Sequence, residues 1–170
     1  EEAIPYYKRL GFQEIHEYVE CVNPPEITRP TALARKLNPI QNLATLRNYI
    51  DKRHPVSQRF GVLNQDLLGF HSLYKMKNHI FELPELDCLV FATLEAQTLK
   101  VFDVVAREIP RFSEIYPYLW NPQMQTIEFH FSADQLSVQG THLKPLHGNH
   151  PMVIGQAPFH PMIFPFTCRA

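Results

Sequence analysis

Four of the nine histidines lie between positions 142 and 160: His142, His147, His150 and His160. Imidazoles five and three positions apart can turn toward a common point and hold zinc. No cysteine or carboxylate stands among them, and the stretch is punctuated by proline and glycine. The expectation is scattered surface histidines on loop and edge strand, with no metal. A metal-binding protein using these histidines is the weakest alternative. Four carboxylates fall on stretches that suit strands: Asp87, Glu95, Asp103 and Glu128. Asp103 interrupts an apolar run (Val101, Phe102, Val104, Val105), and strand alternation predicts that it faces outward. Cys88, among Leu86, Leu89 and Val90, reads as a buried, unreactive thiol rather than a nucleophile. No Gly-x-Ser-x-Gly elbow supports a serine triad. Neither a Gly-x-Gly-x-x-Gly nor a Walker-type loop occurs.

The elements that would position these residues change character along the chain. Residues 1–22 read as a short helix end, closed by Gly11, followed by a strand running from Phe12 to Val22. Three prolines between Asn23 and Pro30 make a loop. Ile40, Leu43, Leu46 and Ile50 recur at helical spacing, which predicts a helix over 40–52 that His54-Pro55 ends. A second helical pattern spans Ser57 to Tyr74. Its stripe of Phe60, Leu63, Leu67, Phe70 or His71, and Tyr74 reads as core packing.

Beyond it the pattern is β. A short strand is expected at His79–Leu83. Leu86–Glu95 and Thr98–Arg107, separated by Ala96-Gln97, predict a hairpin, although that dipeptide is not favoured turn chemistry. Phe112–Trp120 reads as a short helix with Ser113 as a candidate N-cap. In Thr126–Ser132, Ile127, Phe129 and Phe131 take one face and Glu128 and His130 the other. Ala133–Leu136 suits a helical turn, and Pro151–Ile154 and Ile163–Cys168 suit short extended pieces. The class is α+β, a mostly antiparallel sheet flanked by helices.

Composition narrows the function. Of 170 residues, 16 are Lys or Arg and 17 Asp or Glu, for a net charge of −1. A nucleic-acid binder normally carries a basic excess, so none is expected. No apolar stretch approaches the ~18 residues that cross a bilayer, so no membrane is expected. The fifteen prolines exclude a coiled coil, and the 45% hydrophobic content excludes disorder. Cys21, Cys88 and Cys168 are odd in number and lack motif spacing, the usage of a reducing compartment, so a cytoplasmic location is expected. The chain opens on Glu1 without Met or a signal-peptide pattern, which implies a preceding segment or a processed start.

One segment carries a family resemblance. Ala3-Ile4-Pro5-Tyr6-Tyr7-Lys8-Arg9-Leu10-Gly11-Phe12 is similar to the last helix and following strand of the GCN5-related N-acetyltransferases (GNAT), which read Ala-x-x-x-Tyr-x-x-x-Gly-Phe. Tyr7, Gly11 and Phe12 fall on those positions. The resemblance implies a GNAT-like fold and acetyl transfer from acetyl-CoA to a small-molecule or peptide amine, which attacks the thioester directly. It makes Tyr7 the candidate general acid that protonates the departing coenzyme A thiolate.

It also implies a division of the chain. Residues 1–22 would close a first GNAT-like domain, 23–56 would be a linker with a helix, and 57–170 a second, degenerate copy. The family's pyrophosphate loop, Arg/Gln-x-x-Gly-x-Gly/Ala after a strand, would lie upstream of Glu1 for the first copy. In the second it would fall at Arg107-Glu108-Ile109-Pro110-Arg111-Phe112-Ser113. That segment has no glycine, Pro110 lacks an N–H, and Glu108 opposes an anion. Acetyl-CoA therefore belongs to the parent protein, this chain alone should not hold it tightly, and no cofactor-binding residue is assigned. The chain reads as mainly the accessory, acceptor-side domain. The alternative is a non-catalytic binding or assembly module of the same architecture. A homo-oligomer is compatible with both.

Overall fold

The structure, a computed structural model, describes residues 3–26, 34–148, 151–155 and 163–169. It is α+β with mostly antiparallel strands. Helix α1 (Ile4–Arg9) buries none of its residues and ends as expected, with Gly11 in the left-handed region at φ +88°. The strand expected over 12–22 is instead two. β1 (Phe12–Glu14) pairs with β9 (Met152–Ile154) in a small separate ribbon. β2 (Tyr18–Val22) enters the main sheet. The chain breaks between them because Glu17 is anchored: its carbonyl accepts the Leu146 N–H, and its carboxylate is buried.

Six further strands join β2 in the main sheet. They are β3 (Arg35–Lys36), β4 (Ile80–Leu83), β5 (Cys88–Glu95), β6 (Thr98–Ala106), β7 (Thr126–Phe129) and β8 (His142–Pro145), in the order β3-β4-β5-β6-β7-β2-β8. The sheet thus crosses positions 22 and 56, with β2 hydrogen-bonded between β7 and β8 and β3 beside β4. The hairpin β5–β6 forms where expected. Ala96 supplies the left-handed turn residue at φ +53°, which costs an alanine about 1–2 kcal/mol.

Two features of β6 shape the surface around it. Its register against β5 shifts between Phe91, opposite Asp103, and Ala92, opposite Val101, so Phe102 is an extra, bulged residue. Its other neighbour, β7, runs parallel to it, from Thr98 opposite Thr126 to Val101 opposite Phe129. A parallel pair needs a crossover, and α4 (Phe112–Leu119) supplies it.

Helices α2 (Leu43–Lys52) and α3 (Gln65–Leu73) cover one face of β4–β6 through Leu46, Ile50 and Leu68 against Ile80, Leu89, Phe91 and Val105. Helix α4 covers the other, setting Phe112, Ile115 and Tyr116 against Val101, Val104, Ile127, Phe129 and Phe131. Ile127 and Phe129 of β7, with Phe131 just past its end, therefore do share a buried face.

The second helix is shorter than its pattern. Residues 57–64 form a loop because Ser57 organises them: its hydroxyl donates to Asp134 and accepts the Arg59 and Phe60 N–H groups. Gly61 lies so close to Pro55 that a side chain there would collide. Asn64 then caps α3 by accepting the Leu67 N–H. Of the expected stripe only His71 is fully buried: Leu63, Phe70 and Tyr74 are exposed, and Leu68 and Ser72 join His71 in the interior instead. Likewise Leu46 and Ile50 of α2 are buried but Ile40 and Leu43 are not. Ser113 is not the cap of α4. The helix opens after Arg111, whose N–H donates to the Glu114 carboxylate at 2.8 Å. Among the described residues no helix is long and apolar enough to cross a membrane.

Candidate functional site

The polar groups of interest lie on the α2/α3 side of the sheet, beyond the edge of α3. Alternation puts Glu128 of β7 on this face, and His130 comes just past the end of β7, its N–H bonded to the Val101 carbonyl. The bulge at Phe102 turns Asp103 to the same side. The C-terminal segment 163–169 crosses over them. Ile163 packs on Val19 and Cys21 of β2, and Phe166 lies 5.0 Å from the Phe102 ring of β6. Glu128 and His130 stand between these two anchors.

Asp103 is thus not outward-facing but 1% exposed. Alternation failed there because the bulge resets it and the C-terminal segment covers the result. Its Oδ2 accepts from Arg53 Nη1 at 3.1 Å and from the Thr167 hydroxyl at 2.6 Å. Arg53, at the end of α2, also donates to the Val62 carbonyl. A second ion pair ties down the segment's end: Arg169 Nη2 donates to Glu17 Oε1 at 2.6 Å, and the Phe164 N–H donates to the same oxygen at 2.7 Å. His71 Nε2 meets the Arg169 carbonyl at 2.6 Å, which makes that nitrogen the protonated one.

Glu128 is buried to 5% exposure beside His130 at 9%. Lys144 reaches in from β8 and donates to Glu128 Oε1 at 2.7 Å. His130 Nε2 lies 3.5 Å from Glu128 Oε2 without a hydrogen bond, and its ring packs 4.9 Å from Phe102. Burial pushes the His130 imidazole below its ordinary pKa and outweighs the pull of Glu128 the other way, so it is neutral near pH 7. Burial acts to raise Glu128, but the Lys144 hydrogen bond and the charges of Lys144 and Lys100 prevail and hold it below the usual carboxylate range. The Lys144 ammonium is correspondingly raised. The set is chemically a buried carboxylate beside a neutral imidazole, with Lys144 on the one and Phe102 against the other.

The other expected residues lie elsewhere. Tyr7 is 41% exposed on α1, its ring 5.6 Å from Tyr6 and 5.5 Å from Phe12. Cys88 is fully buried, and burial, with help from Asp87, pushes its thiol up to about 12. His142, on the edge strand β8, and His147 are both exposed, while His150 and His160 lie outside the described residues. Among the described residues no group of three or more His, Cys, Asp or Glu could hold a metal ion. At 107–113, where a phosphate-binding turn would sit, Arg107, Glu108 and Arg111 line the surface. The Arg111 N–H, at the start of α4, is taken by the Glu114 carboxylate. No model of a known protein family matches the chain. No curated protein matches it either.

Sequence reasoning set Glu128 and His130 on the face opposite Ile127, Phe129 and Phe131 but assigned them no joint role. It missed Glu17, Arg53, Thr167 and Arg169. A signal for them existed only in part: nothing local pairs residue 17 with residue 169, and the contact becomes visible only in three dimensions.

Proposed function

We propose that this chain is the accessory, acceptor-side part of an acetyl-CoA-dependent N-acetyltransferase of the GNAT type, itself without a working cofactor cradle. The observation that carries the reading is the β6–turn–α4–β7 unit. A parallel strand pair with a crossover helix directs the helix N-terminus toward the ends of the strands, the usual seat of a phosphate. Here the seat is closed. Pro110 removes a donor, Glu114 caps the turn with negative charge, and side chains replace the glycines that would let a pyrophosphate approach. Acetyl-CoA would then be held by residues outside this chain, with a small-molecule or peptide amine as acceptor. The helix-glycine-strand geometry at Tyr7, Gly11 and Phe12 supports the same reading, with the exposed Tyr7 hydroxyl as the general acid.

The experiment is steady-state kinetics of the whole protein that carries this segment. Tyr7→Phe removes one hydroxyl from an exposed ring and should leave the melting curve unchanged. The expected outcome is a fall in kcat of about 10²–10⁴-fold with acetyl-CoA affinity unchanged, because the thiolate it protonates arises only late in the reaction. An unchanged kcat would remove Tyr7 from the chemistry.

A non-catalytic binding module is the second reading, and one observation favours it. Phe70 and Tyr74 stack at 4.7 Å on α3 while exposed to solvent, with Leu63 exposed nearby in sequence. Exposed aromatics of this kind are enriched at protein interfaces.

A further inference from the structure

Among the described residues, six buried side-chain nitrogen or oxygen atoms lack a hydrogen-bond partner: Glu17 Oε2, Arg53 Nε, His71 Nδ1, Glu82 Oε2, Asp103 Oδ1 and His130 Nε2. Only Glu82 lies away from the C-terminal segment, on β4 beside Arg35. The other five belong to residues that the segment bonds or that adjoin its contacts. Glu17 takes Arg169, Asp103 takes Thr167 and Arg53, His71 takes the Arg169 carbonyl, and His130 shares Phe102 with Phe166. Closing the segment over the sheet thus makes several strong bonds and at the same time strips water from atoms that gain nothing in return. An unpaired buried polar group is costly, and more so beside a charge. The opposing terms sit on the same few residues.

The segment also has little regular structure of its own. It is one turn of 3₁₀ helix at Phe166–Cys168, and its grip is through side chains rather than a sheet ladder. Elements with few backbone bonds to the rest of the fold open at lower free energy than the strands beneath them. The sheet under it holds together through its own ladder, which runs from β4 through β8 without the segment.

We infer that Ile163–Arg169 is a strap that opens independently of the sheet, uncovering a groove floored by Glu17, Asp103, Glu128 and His130. The closed form is held by Arg169 on Glu17, Thr167 on Asp103 and Phe166 on Phe102. Opening restores water to Glu17 and Asp103 and to the imidazoles of His71 and His130 while the β-sheet stays intact. Opening takes Arg169 from the Glu17 carboxylate, while Arg53 and Lys144 still pair Asp103 and Glu128, so Glu17 is the carboxylate left without its cation. A ligand able to hold the strap open must therefore offer what the strap itself offers, a cation beside an aromatic ring. This inference does not depend on the acetyltransferase reading.

The test is native-state hydrogen exchange on the full chain over a series of low urea concentrations, read at individual amides. The Phe164 and Arg169 amides report the strap, and Leu89 and Val90 of β5 report the sheet. The expected result is strap exchange that is faster than that of the sheet and nearly independent of urea. In Arg169→Ala, the strap amides should speed up by about 10- to 100-fold, the loss expected for one charge-assisted hydrogen bond, with the β5 amides unchanged. Modification of His130 and His71 by diethyl pyrocarbonate should rise in parallel, and Arg169→Lys should restore much of the protection. If strap and sheet amides share one urea dependence, and Arg169→Ala speeds both equally, the segment opens only when the whole sheet unfolds and the inference is wrong. The β5 amides serve as the internal reference, so general destabilisation of the variant is read as such.

Discussion

The two faces of the β6–β7 pair are built from alternate residues of the same strands and are closed by opposite means. Toward α4 they present Val101, Val104, Ile127 and Phe129, and a helix seals them with apolar side chains. Toward the strap they present Phe102, Asp103 and Glu128, with His130 just beyond, and these are met by Thr167 and Phe166 of an irregular segment, by Arg53 from the end of α2 and by Lys144 from β8. The apolar face gains from every contact it makes. On the charged face, each bond formed is offset by the desolvation of its partners, so its net stability is small and its dependence on intact pairing is large. A fold that needed only stability would have sealed both faces the first way.

The sharpest way to separate the two faces is to damage each and then try to repair it. Phe129→Ala on the apolar side should cost about 3–5 kcal/mol in denaturant unfolding, as a cavity left in a packed core does. Arg53→Met on the charged side should cost about as much, because Asp103 is left buried without its cation. The difference emerges on repair. Adding Asp103→Leu and Thr167→Val to Arg53→Met should bring stability back to within about 2 kcal/mol of native, since no uncompensated charge remains. Failure of that triple substitution to recover would mean that the ion pair contributes more than its own desolvation removes.

Acid should distinguish the faces next. His130 has its pKa lowered by burial, so the unfolded chain binds its proton more readily than the folded one. Its contribution is fully present above the ordinary histidine value of about 6.5 and is lost as the pH falls below it. Glu128, held low, adds stability above the ordinary carboxylate range that disappears as the pH falls through its lower folded value. Melting temperatures between pH 7 and 5 should therefore drop more steeply in the native chain than in His130→Gln, and below about pH 4 both should fall. Identical profiles would show that His130 is not desolvated. The smallest effect belongs to Lys144, whose side chain is 61% exposed. Lys144→Gln should change stability by less than about 1 kcal/mol, a loss that added salt should diminish.

How much of this was legible depended on distance along the chain. The β5–β6 hairpin, the buried β7 trio and the helix end at Gly11 are local patterns, and each stands where its residues put it. The stripe from Phe60 to Tyr74 misled because Ser57, Asn64 and Gly61 impose a loop whose partners, Asp134 and Pro55, the helical period cannot register. Asp103 misled because a bulge one residue earlier moved it across the sheet. The charged floor was half legible. Glu128 and His130 announced themselves by alternation, but Glu17 and Arg169 are 152 positions apart and pair only once the strap has crossed β7.

The central claim, that this chain's strand-turn-helix unit is closed to a pyrophosphate, is tested most directly by titrating acetyl-CoA into the chain in a calorimeter. With Pro110 in the turn and Glu114 on the Arg111 N–H, no binding tighter than roughly millimolar is expected, about −4 kcal/mol or weaker. Saturable one-to-one binding in the low-micromolar range, roughly −8 kcal/mol, would contradict it.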